Sequence, residues 1–282
     1  MRTALITIVH GRHEHLAYQQ RALRISTVKP SPYVVVAMDD PGAARALSST
    51  ASDVRAEIVH VKRSAGALPL ASARNHGAWQ AIARGAELLV FLDVDCVPDQ
   101  RLLERYAIAA ERCGDALLCG EVGYLPPAPP AGYPASTLRA LASPHPSRPS
   151  LAEDELRAEP EIDRFWSLSF ATTAAAWRRS GGFFGGYVGY GGEDTDFANK
   201  AARAGLSMYW VGGAWAFHQD HGVGEPPARH GADIVRNANL FHDRWGRWAM
   251  EDWLSELARR GAARFDAHSG RWEPLRSSAV RD

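Results

Sequence analysis

The chain has 282 residues, and its 32 basic and 32 acidic side chains give a formal net charge of +0. This balance supplies neither a global basic field for nucleic acid nor an acidic tail, and the length suffices for one large α/β domain or two small ones. The chain begins with a strand-like segment and contains no apolar run of membrane-spanning length, so we expect no signal peptide and no integral membrane segment.

The three cysteines, Cys96, Cys113 and Cys119, are odd in number and lack the spacing of metal ligands. They lie among apolar residues, which favours reduced thiols in a core and a reducing compartment. We therefore expect a cytoplasmic protein, and the oligomeric state stays open.

The first 124 residues alternate between strand-like and helix-like segments. We predict strands over 4–9, 33–38, 57–61, 88–92 and 116–124, with helices over 16–25 and 101–112 and a further helix starting near residue 70. This alternation predicts an α/β fold with a mainly parallel central sheet flanked by helices.

The apolar run 88–92 favours a buried central strand, and it is followed by Asp93 and Asp95, two carboxylates one residue apart. Open α/β sheets bind ligands at the carboxyl ends of their strands. Because neighbouring acids repel each other, a cation is their natural partner, and oxygen ligands suit Mg²⁺ or Mn²⁺ with substrate phosphates. The alternative is a solvated pair of acids in a turn before Pro98.

Other polar side chains are expected at the same edge. Asp39 and Asp40 follow the second strand, where an acid can accept a hydrogen bond from a nucleobase or ribose, or can cap the next helix. Arg74 is expected to project toward Asp93 and Asp95 and to pair with them or with a diphosphate; the alternative is a surface arginine. The polar turn at 10–13 is predicted to be solvated.

The second half opens with a proline-rich segment, 125–150, which holds eight of the 17 prolines and predicts a long surface loop able to cover a site. After a predicted strand over 167–173, the glycine-rich segment 185–192 carries two tyrosines and leads into Glu193 and Asp194, near the start of a predicted helix over 195–204. Acids at a helix start stabilise it by roughly 0.3–1 kcal/mol each. The three acids behind this loop, Glu193, Asp194 and Asp196, also indicate a place where the chain approaches a substrate. Segment 185–192 is then the candidate lid.

Two short strands predicted over 207–211 and 214–217 bring His218 to a strand end, and His221 follows. An imidazole there can be a third metal ligand, since Mn²⁺ accepts imidazole alongside carboxylate oxygens; the alternative is a hydrogen-bonded turn histidine. Helices are predicted over 230–245 and 250–260, followed by a loose polar tail.

Six motifs occur in order along residues 1 to 220. They are Asp39-Asp40, Ala73-Arg74-Asn75-His76-Gly77, Asp93-Val94-Asp95, Gly181-Gly182-Phe183, Gly191-Gly192-Glu193-Asp194-Thr195-Asp196-Phe197 and His218. In this combination the chain resembles a glycosyltransferase with the GT-A (Rossmann-like) fold, of the family 2 type. Its second half is similar to the C-terminal region of β-1,4-galactosyltransferases and polypeptide N-acetylgalactosaminyltransferases.

For the donor, the resemblance implies that Asp39 or Asp40 contacts the nucleotide base. It also implies that Arg74 lies near the diphosphate and that Asp93 faces the ribose and the metal. Asp95 is expected to coordinate Mn²⁺ or Mg²⁺ directly.

For the rest of the site, the resemblance implies that His218 completes the metal coordination, and Asp93 and His221 are further candidates. Asp194 is the expected catalytic base. The expected contacts to sugar or acceptor are Glu193, Tyr190 and Gly192; Tyr190 stands where that branch often has a tryptophan.

The implied activity is a metal-dependent, inverting hexosyl transfer from a nucleotide-diphosphate sugar, with UDP favoured, to a hydroxyl of a glycan or small molecule by direct displacement. The alternatives are a nucleotidyltransferase and a catalytically silent nucleotide- or glycan-binding protein, while a phosphatase of the haloacid-dehalogenase type is disfavoured. Residues 1–124 are expected to bind the nucleotide sugar, 125–265 to bind the acceptor and catalyse transfer within the same GT-A domain, and 266–282 to form the tail.

Overall fold

The computed structural model describes residues 1–50, 52–64, 66–129, 132–146, 148–221 and 230–275. The strands are β1 (Thr3–Val9), β2 (Tyr33–Met38), β3 (Ala56–Val61), β4 (Leu88–Leu92), β5 (Cys96–Pro98), β6 (Ala116–Tyr124), β7 (Ser143–Pro144), β8 (Leu156–Glu159), β9 (Ser169–Thr173), β10 (Ser207–His218), β11 (Ala263–Asp266) and β12 (Arg271–Pro274). The α-helices are α1 (His13–Leu23), α2 (Ala43–Ser48), α3 (Leu70–Ala83), α4 (Leu102–Cys113), α5 (Leu138–Leu141), α6 (Ala174–Ser180), α7 (Glu193–Arg203), α8 (Gly231–Trp245) and α9 (Glu251–Arg259).

The central sheet has the strand order β3-β2-β1-β4-β9-β6-β10-β5. The first four strands are parallel to one another, as are β6 and β10, and β9 lies antiparallel between β4 and β6. The large, mostly parallel sheet flanked by helices confirms the expected fold class. Because β9 and β10 come from the second half of the chain, both halves contribute to one sheet.

Both faces of the sheet are covered, which explains why its strands are nearly continuous apolar runs. Along β1, the side chains of Ala4 and Ile6 pack with those of α3, whereas Leu5 and Val9 pack with those of α1 and α4. Because both faces of the sheet are shielded from water, we expect polar side chains that bind a ligand at the carboxyl ends of these strands.

The second half of the chain differs from the sequence prediction at several places, including the following three. The two strands predicted on either side of Gly212 and Gly213 are one strand, β10, with a register shift between Val211 and Ala216. The predicted loose tail contains β12, which pairs with β11 as an antiparallel hairpin. The proline-rich segment is partly packed, since Leu125, Tyr133 and Leu138 are buried in one apolar cluster.

The three cysteines are free thiols, and Cys96 and Cys119 are buried, as expected. Within the described part of the chain, none of the helices is both long and apolar enough to cross a bilayer.

Candidate active site

Short strand β5 brings the Asp-x-Asp segment to the end of β10. The two strands pair antiparallel, with Cys96 opposite His218. Asp95, which immediately precedes β5, is therefore carried to the strand end where His218 lies, and the main-chain oxygen of Asp95 accepts a hydrogen bond from the N–H of Gln219 at 2.8 Å. The sequence places these residues more than 120 positions apart, and one strand pairing joins them.

Asp95, His218 and His221 form a group whose possible ligand atoms all lie within 4.8 Å of one another. The Nε2 atoms of His218 and His221 are 3.7 and 3.3 Å from Asp95 Oδ2. Burial, together with the charges of His221 and Arg12, lowers the pKa of His218 to about 4, so its imidazole is neutral at physiological pH. A carboxylate and imidazole nitrogens form a donor set suited to Mn²⁺.

Arg12 is a site residue that the sequence analysis missed. Its guanidinium forms an ion pair with Asp95 Oδ2, the oxygen that faces both histidines. Arg12 lies in the turn predicted to be solvated and has φ 49°, a left-handed conformation that is uncommon for a residue other than glycine. The sequence signal for its role is its place in the turn after β1, because β1 and β4 are parallel and end at the same edge of the sheet.

Arg74 is the buried centre of an ion-pair group with Asp93 and Glu193. It projects from α3 as predicted, and its Nη2 lies 3.2 Å from Asp93 Oδ1, while Nη1 lies 3.4 Å from Glu193 Oε1. Burial raises the pKa of Asp93, and the charge of Arg74 works against that rise. Asp93 therefore belongs to an ion-pair group with Arg74, and among the described residues it is not one of the three clustered candidate metal ligands.

Glu193 is 5% exposed and shares Arg74 with Asp93. Burial, and then the charge of Asp194, raises the pKa of Glu193 to about 7, although Arg74 opposes the rise. The second carboxylate oxygen, Oε2, is buried and has no hydrogen-bond partner in the described part of the protein. Glu193 is thus positioned by Arg74 and keeps one unused acceptor.

Asp39 and Asp40 have different environments. Asp40 is buried and accepts hydrogen bonds from His13 at 2.8 Å and from the N–H groups of Gly11 and Gly42 at 2.9 and 3.0 Å. Burial opposes ionisation of Asp40, but these donors outweigh it and lower the pKa. Asp39 is exposed and pairs with Arg63 at 3.0 Å. Asp40 therefore braces the turn after β1, and Asp39 is the more accessible acid.

Asp194 lies in the first turn of α7 and is held by one residue from before β9. The N–H and the hydroxyl of Ser167 donate to its two carboxylate oxygens at 3.1 and 2.7 Å. Gly192 precedes the helix with φ 84°, and a Cβ there would lie 3.1 Å from Tyr187, so glycine suits this close turn. The sequence analysis missed Ser167, which no motif distinguished.

The glycine-rich loop 185–192 is anchored to α8. The side-chain amide of Asn237 donates to the main-chain oxygens of Val188 and Tyr190, each at 3.2 Å. The Tyr190 ring is 37% exposed and lies nearly parallel to the rings of His230 and Trp253, with centroids 5.2 and 5.7 Å away. The loop thus presents a supported aromatic surface.

One protein family matches part of the second half of the chain. Residues 147–220 match the model of a family described as the N-terminal domain of galactosyltransferase. This segment contains Ser167, Asp194 and His218, whereas Asp93 and Asp95 precede it. No curated protein matches the chain in sequence.

Three solved structures of TarS from S. aureus have a similar fold. Residues 1–349 of TarS superpose with a TM-score of 0.57 at 13% identity, covering 88% of this chain and 73% of that one. The same TarS segment in complex with UDP-GlcNAc gives a TM-score of 0.59 at 12% identity, covering 89% and 68%. A longer TarS structure superposes with a TM-score of 0.59 at 13% identity. The match covers 96% of this chain and 45% of that structure. The chain therefore has the fold of the GT-A glycosyltransferases, and its residues 147–220 are similar to a galactosyltransferase domain, so the two comparisons agree on a glycosyltransferase.

Proposed function

We propose that the protein is a metal-dependent, inverting glycosyltransferase that moves a sugar from a UDP-sugar to a hydroxyl of a glycan or small molecule. The observation that carries the proposal is the group Asp95, His218 and His221 at the end of the sheet. Asp194 is close enough for its charge to act on Arg74 and on Asp93. The fold shared with TarS, which has been solved in complex with UDP-GlcNAc, supports the choice of UDP.

The donor is proposed to lie along the ends of β1, β2 and β4. Asp39 accepts from the base, since the oxygens of Asp40 are engaged with His13 and two amides. Asp93 faces the ribose, and the guanidinium groups of Arg12 and Arg74 supply positive charge for the diphosphate. Glu193 is proposed to contact the transferred sugar.

Asp95, His218 and His221 are proposed to hold Mn²⁺, or Mg²⁺. When bound, the ion acts as a Lewis acid that neutralises the leaving diphosphate. Two of the candidate ligands have close neighbours: Arg12 contacts Asp95, and the Tyr124 ring lies against His218 with centroids 4.9 Å apart.

Asp194 is the proposed base. It takes the proton of the acceptor hydroxyl as that oxygen attacks the anomeric carbon from the face opposite the diphosphate, which gives inversion. A positioned carboxylate typically contributes roughly 10²–10⁴-fold to such a step. The two hydrogen bonds from Ser167 fix the orientation of the carboxylate, and Tyr190 offers the acceptor sugar a flat ring to stack on.

The test compares Asp194→Asn with the unchanged protein. UDP binding with Mn²⁺ is measured by calorimetry, with and without excess chelator, and transfer is measured from UDP-sugars to a panel of sugar acceptors. We expect chelator to abolish UDP binding, and we expect the variant to bind UDP normally while losing roughly 10²–10⁴-fold in transfer. Asp243→Asn, an exposed acid in α8 that is paired with Arg271, is the control.

Each alternative predicts a different result. A silent binding protein would bind UDP but show no transfer in either form, and a nucleotidyltransferase would release pyrophosphate from a nucleoside triphosphate. An Asp194→Asn variant with full transfer would remove Asp194 as the base, and metal-independent UDP binding would remove the metal from the proposal.

A further inference from the structure

A basic cavity is lined by residues near the carboxyl-terminal ends of three helices, α6, α7 and α8. Its volume is about 410 Å³, and small-molecule sites usually span roughly 300–1,000 Å³. Among the described residues that line it, none is acidic and four are cationic, namely Arg179, Lys200, Arg203 and Arg244. Ligands can reach these charges, because the side chains of Arg179 and Arg244 are 46% and 26% exposed and Arg203 is exposed.

Two of the four cations are paired with acids that are not among the lining residues. Arg179 Nη1 lies 3.0 Å from Asp115 Oδ2, and Arg244 Nε lies 2.6 Å from Asp196 Oδ1. These ion pairs hold the two arginines in position. Because a guanidinium has five N–H donors, each arginine keeps donors that its ion pair does not use.

The other two cations have no acid within ion-pair distance in the described part of the chain. Lys200 donates to the main-chain oxygens of Gly181, at 3.3 Å, and Gly182, directly after α6. The Arg203 guanidinium lies over the Trp245 ring, with Cζ 4.0 Å from the ring centroid. The ring supports one side of this guanidinium, and no described residue accepts a hydrogen bond from its N–H groups. Both cations are therefore held in place while their charges stay uncompensated.

Compensation of helix dipoles explains only part of this arrangement. Cations in the last turn stabilise a helix, and α6, α7 and α8 each carry basic residues there. That effect acts on each helix separately and does not require the cations to face one cavity, where they repel each other. Burial lowers the pKa of Lys200, and the charge of Arg244 lowers it further, although Asp196 opposes the fall. Four cations and two paired acids leave an excess of two positive charges.

The cavity and the candidate metal group lie at opposite ends of strand β6. Asp115, which pairs with Arg179, directly precedes the first residue of β6. Tyr124, whose ring contacts His218, is the last residue of this strand. The nine residues of β6 span about 26 Å, at about 3.3 Å per residue. A ligand in the basic cavity is therefore separate from the proposed donor site.

We propose that the basic cavity binds a phosphate-bearing anion with at least two negative charges. Guanidinium and ammonium groups are common protein donors to phosphate oxygens, and the excess of two positive charges favours a multiply charged ligand. The phosphate can belong to a small soluble molecule or to a lipid headgroup, and the experiment separates these two sources. The proposal does not depend on the proposed transfer reaction.

The experiment measures binding of pyrophosphate and of acetate to the full chain by calorimetry, near neutral pH and at low ionic strength. A chelator replaces Mn²⁺, so that the pyrophosphate does not bind through a metal ion. We expect pyrophosphate to bind at least about tenfold more tightly than acetate, and we expect Arg203→Gln to weaken pyrophosphate binding at least about tenfold. Because Arg203 is exposed, this variant should fold.

The matched control is Arg178→Gln, which removes the same charge from an exposed arginine of α6 that does not line the cavity. Its affinity for pyrophosphate should stay within about twofold of that of the unchanged protein, because solvent and salt screen a charge outside the site. A second arm measures sedimentation of the protein with phosphatidylcholine vesicles, with and without phosphatidic acid. Binding to the acidic vesicles alone that depends on Arg203, without binding of pyrophosphate, identifies the phosphate as that of a lipid headgroup.

Three results would overturn the proposal: neither pyrophosphate nor the acidic vesicles bind, binding is unchanged in Arg203→Gln, or binding falls equally in Arg178→Gln. UDP binding in the presence of Mn²⁺, measured on the same variants, is expected to be unchanged. A loss of UDP binding in Arg203→Gln would contradict the separation of the two sites.

Discussion

Replacing Arg74 by methionine tests the buried ion-pair group, because it removes one cation from between two carboxylates. The Arg74 side chain is 6% exposed and lies 3.2 Å from Asp93 and 3.4 Å from Glu193. Removing one partner of a buried pair costs about 3–5 kcal/mol, since the remaining charge is left uncompensated. Here two acids are left, so we expect the free energy of unfolding to fall by at least that amount at pH 8.

The loss should depend on pH. The pKa of Glu193 is about 7 in the folded protein and near 4.5 when unfolded, so the folded state binds this proton more tightly. The free energy of unfolding of the unchanged protein therefore falls as the pH rises from about 4.5 to about 7. Arg74 lowers the pKa values of both Glu193 and Asp93, so in the variant these acids keep their protons to a pH above 7. At pH 6 the acids are then largely neutral, and the variant loses less free energy of unfolding there than at pH 8.

Urea unfolding at pH 6 and pH 8 measures both effects. Arg84→Met is the matched control: Arg84 follows the last residue of α3, is 55% exposed and pairs with Glu57, so its loss should cost less than about 1 kcal/mol at either pH. An equal loss at both pH values in Arg74→Met, or a loss no larger than that of the control, would refute the ion-pair reasoning.

Three other substitutions separate the parts of the site. His221→Ala should weaken Mn²⁺ binding at least about tenfold, measured by calorimetry, because mutation of residues that only support metal ligands typically lowers metal affinity by that much. Unchanged affinity would exclude His221 as a ligand. Tyr190→Ala should raise the KM for a sugar acceptor and leave UDP binding unchanged, because its exposed ring stacks on His230 and Trp253, neither of which is a proposed donor residue; a change in UDP binding alone would contradict this. Asp196→Asn should lower the free energy of unfolding by about 3–5 kcal/mol, because Asp196 is fully buried and pairs with Arg244 at 2.6 Å. Its transfer rate per folded molecule should stay near that of the unchanged protein, and a large loss of rate without a loss of stability would show that Asp196 is more than a support.

The first half of the chain could be predicted closely from its sequence because its strands are long apolar runs. The strands predicted over 33–38 and 116–124 have the observed bounds, and Arg74 reaches Asp93 as expected. These features follow from local patterns, since the side-chain direction of a helix residue and the carboxyl end of a buried strand are both fixed by short stretches of sequence.

The remaining features depend on contacts between distant segments. Strand β5 has three residues, too few to show a period, and it exists because it pairs with the end of β10. Gly212 and Gly213 suggested an interruption where β10 instead continues through an irregularity. Arg12 and Ser167 carry no motif, and their roles arise only when the sheet brings them to Asp95 and Asp194.

The attachment of the glycine-rich loop has an evolutionary consequence. Its main chain is fixed by Asn237, while the ring of Tyr190 extends outward from that fixed support. A substitution at position 190 therefore alters the surface offered to the incoming molecule without moving the backbone that precedes Asp194. On the proposed role of Tyr190, acceptor preference can diverge by single changes at this ring, while Asp194 and its hydrogen bonds from Ser167 stay unchanged.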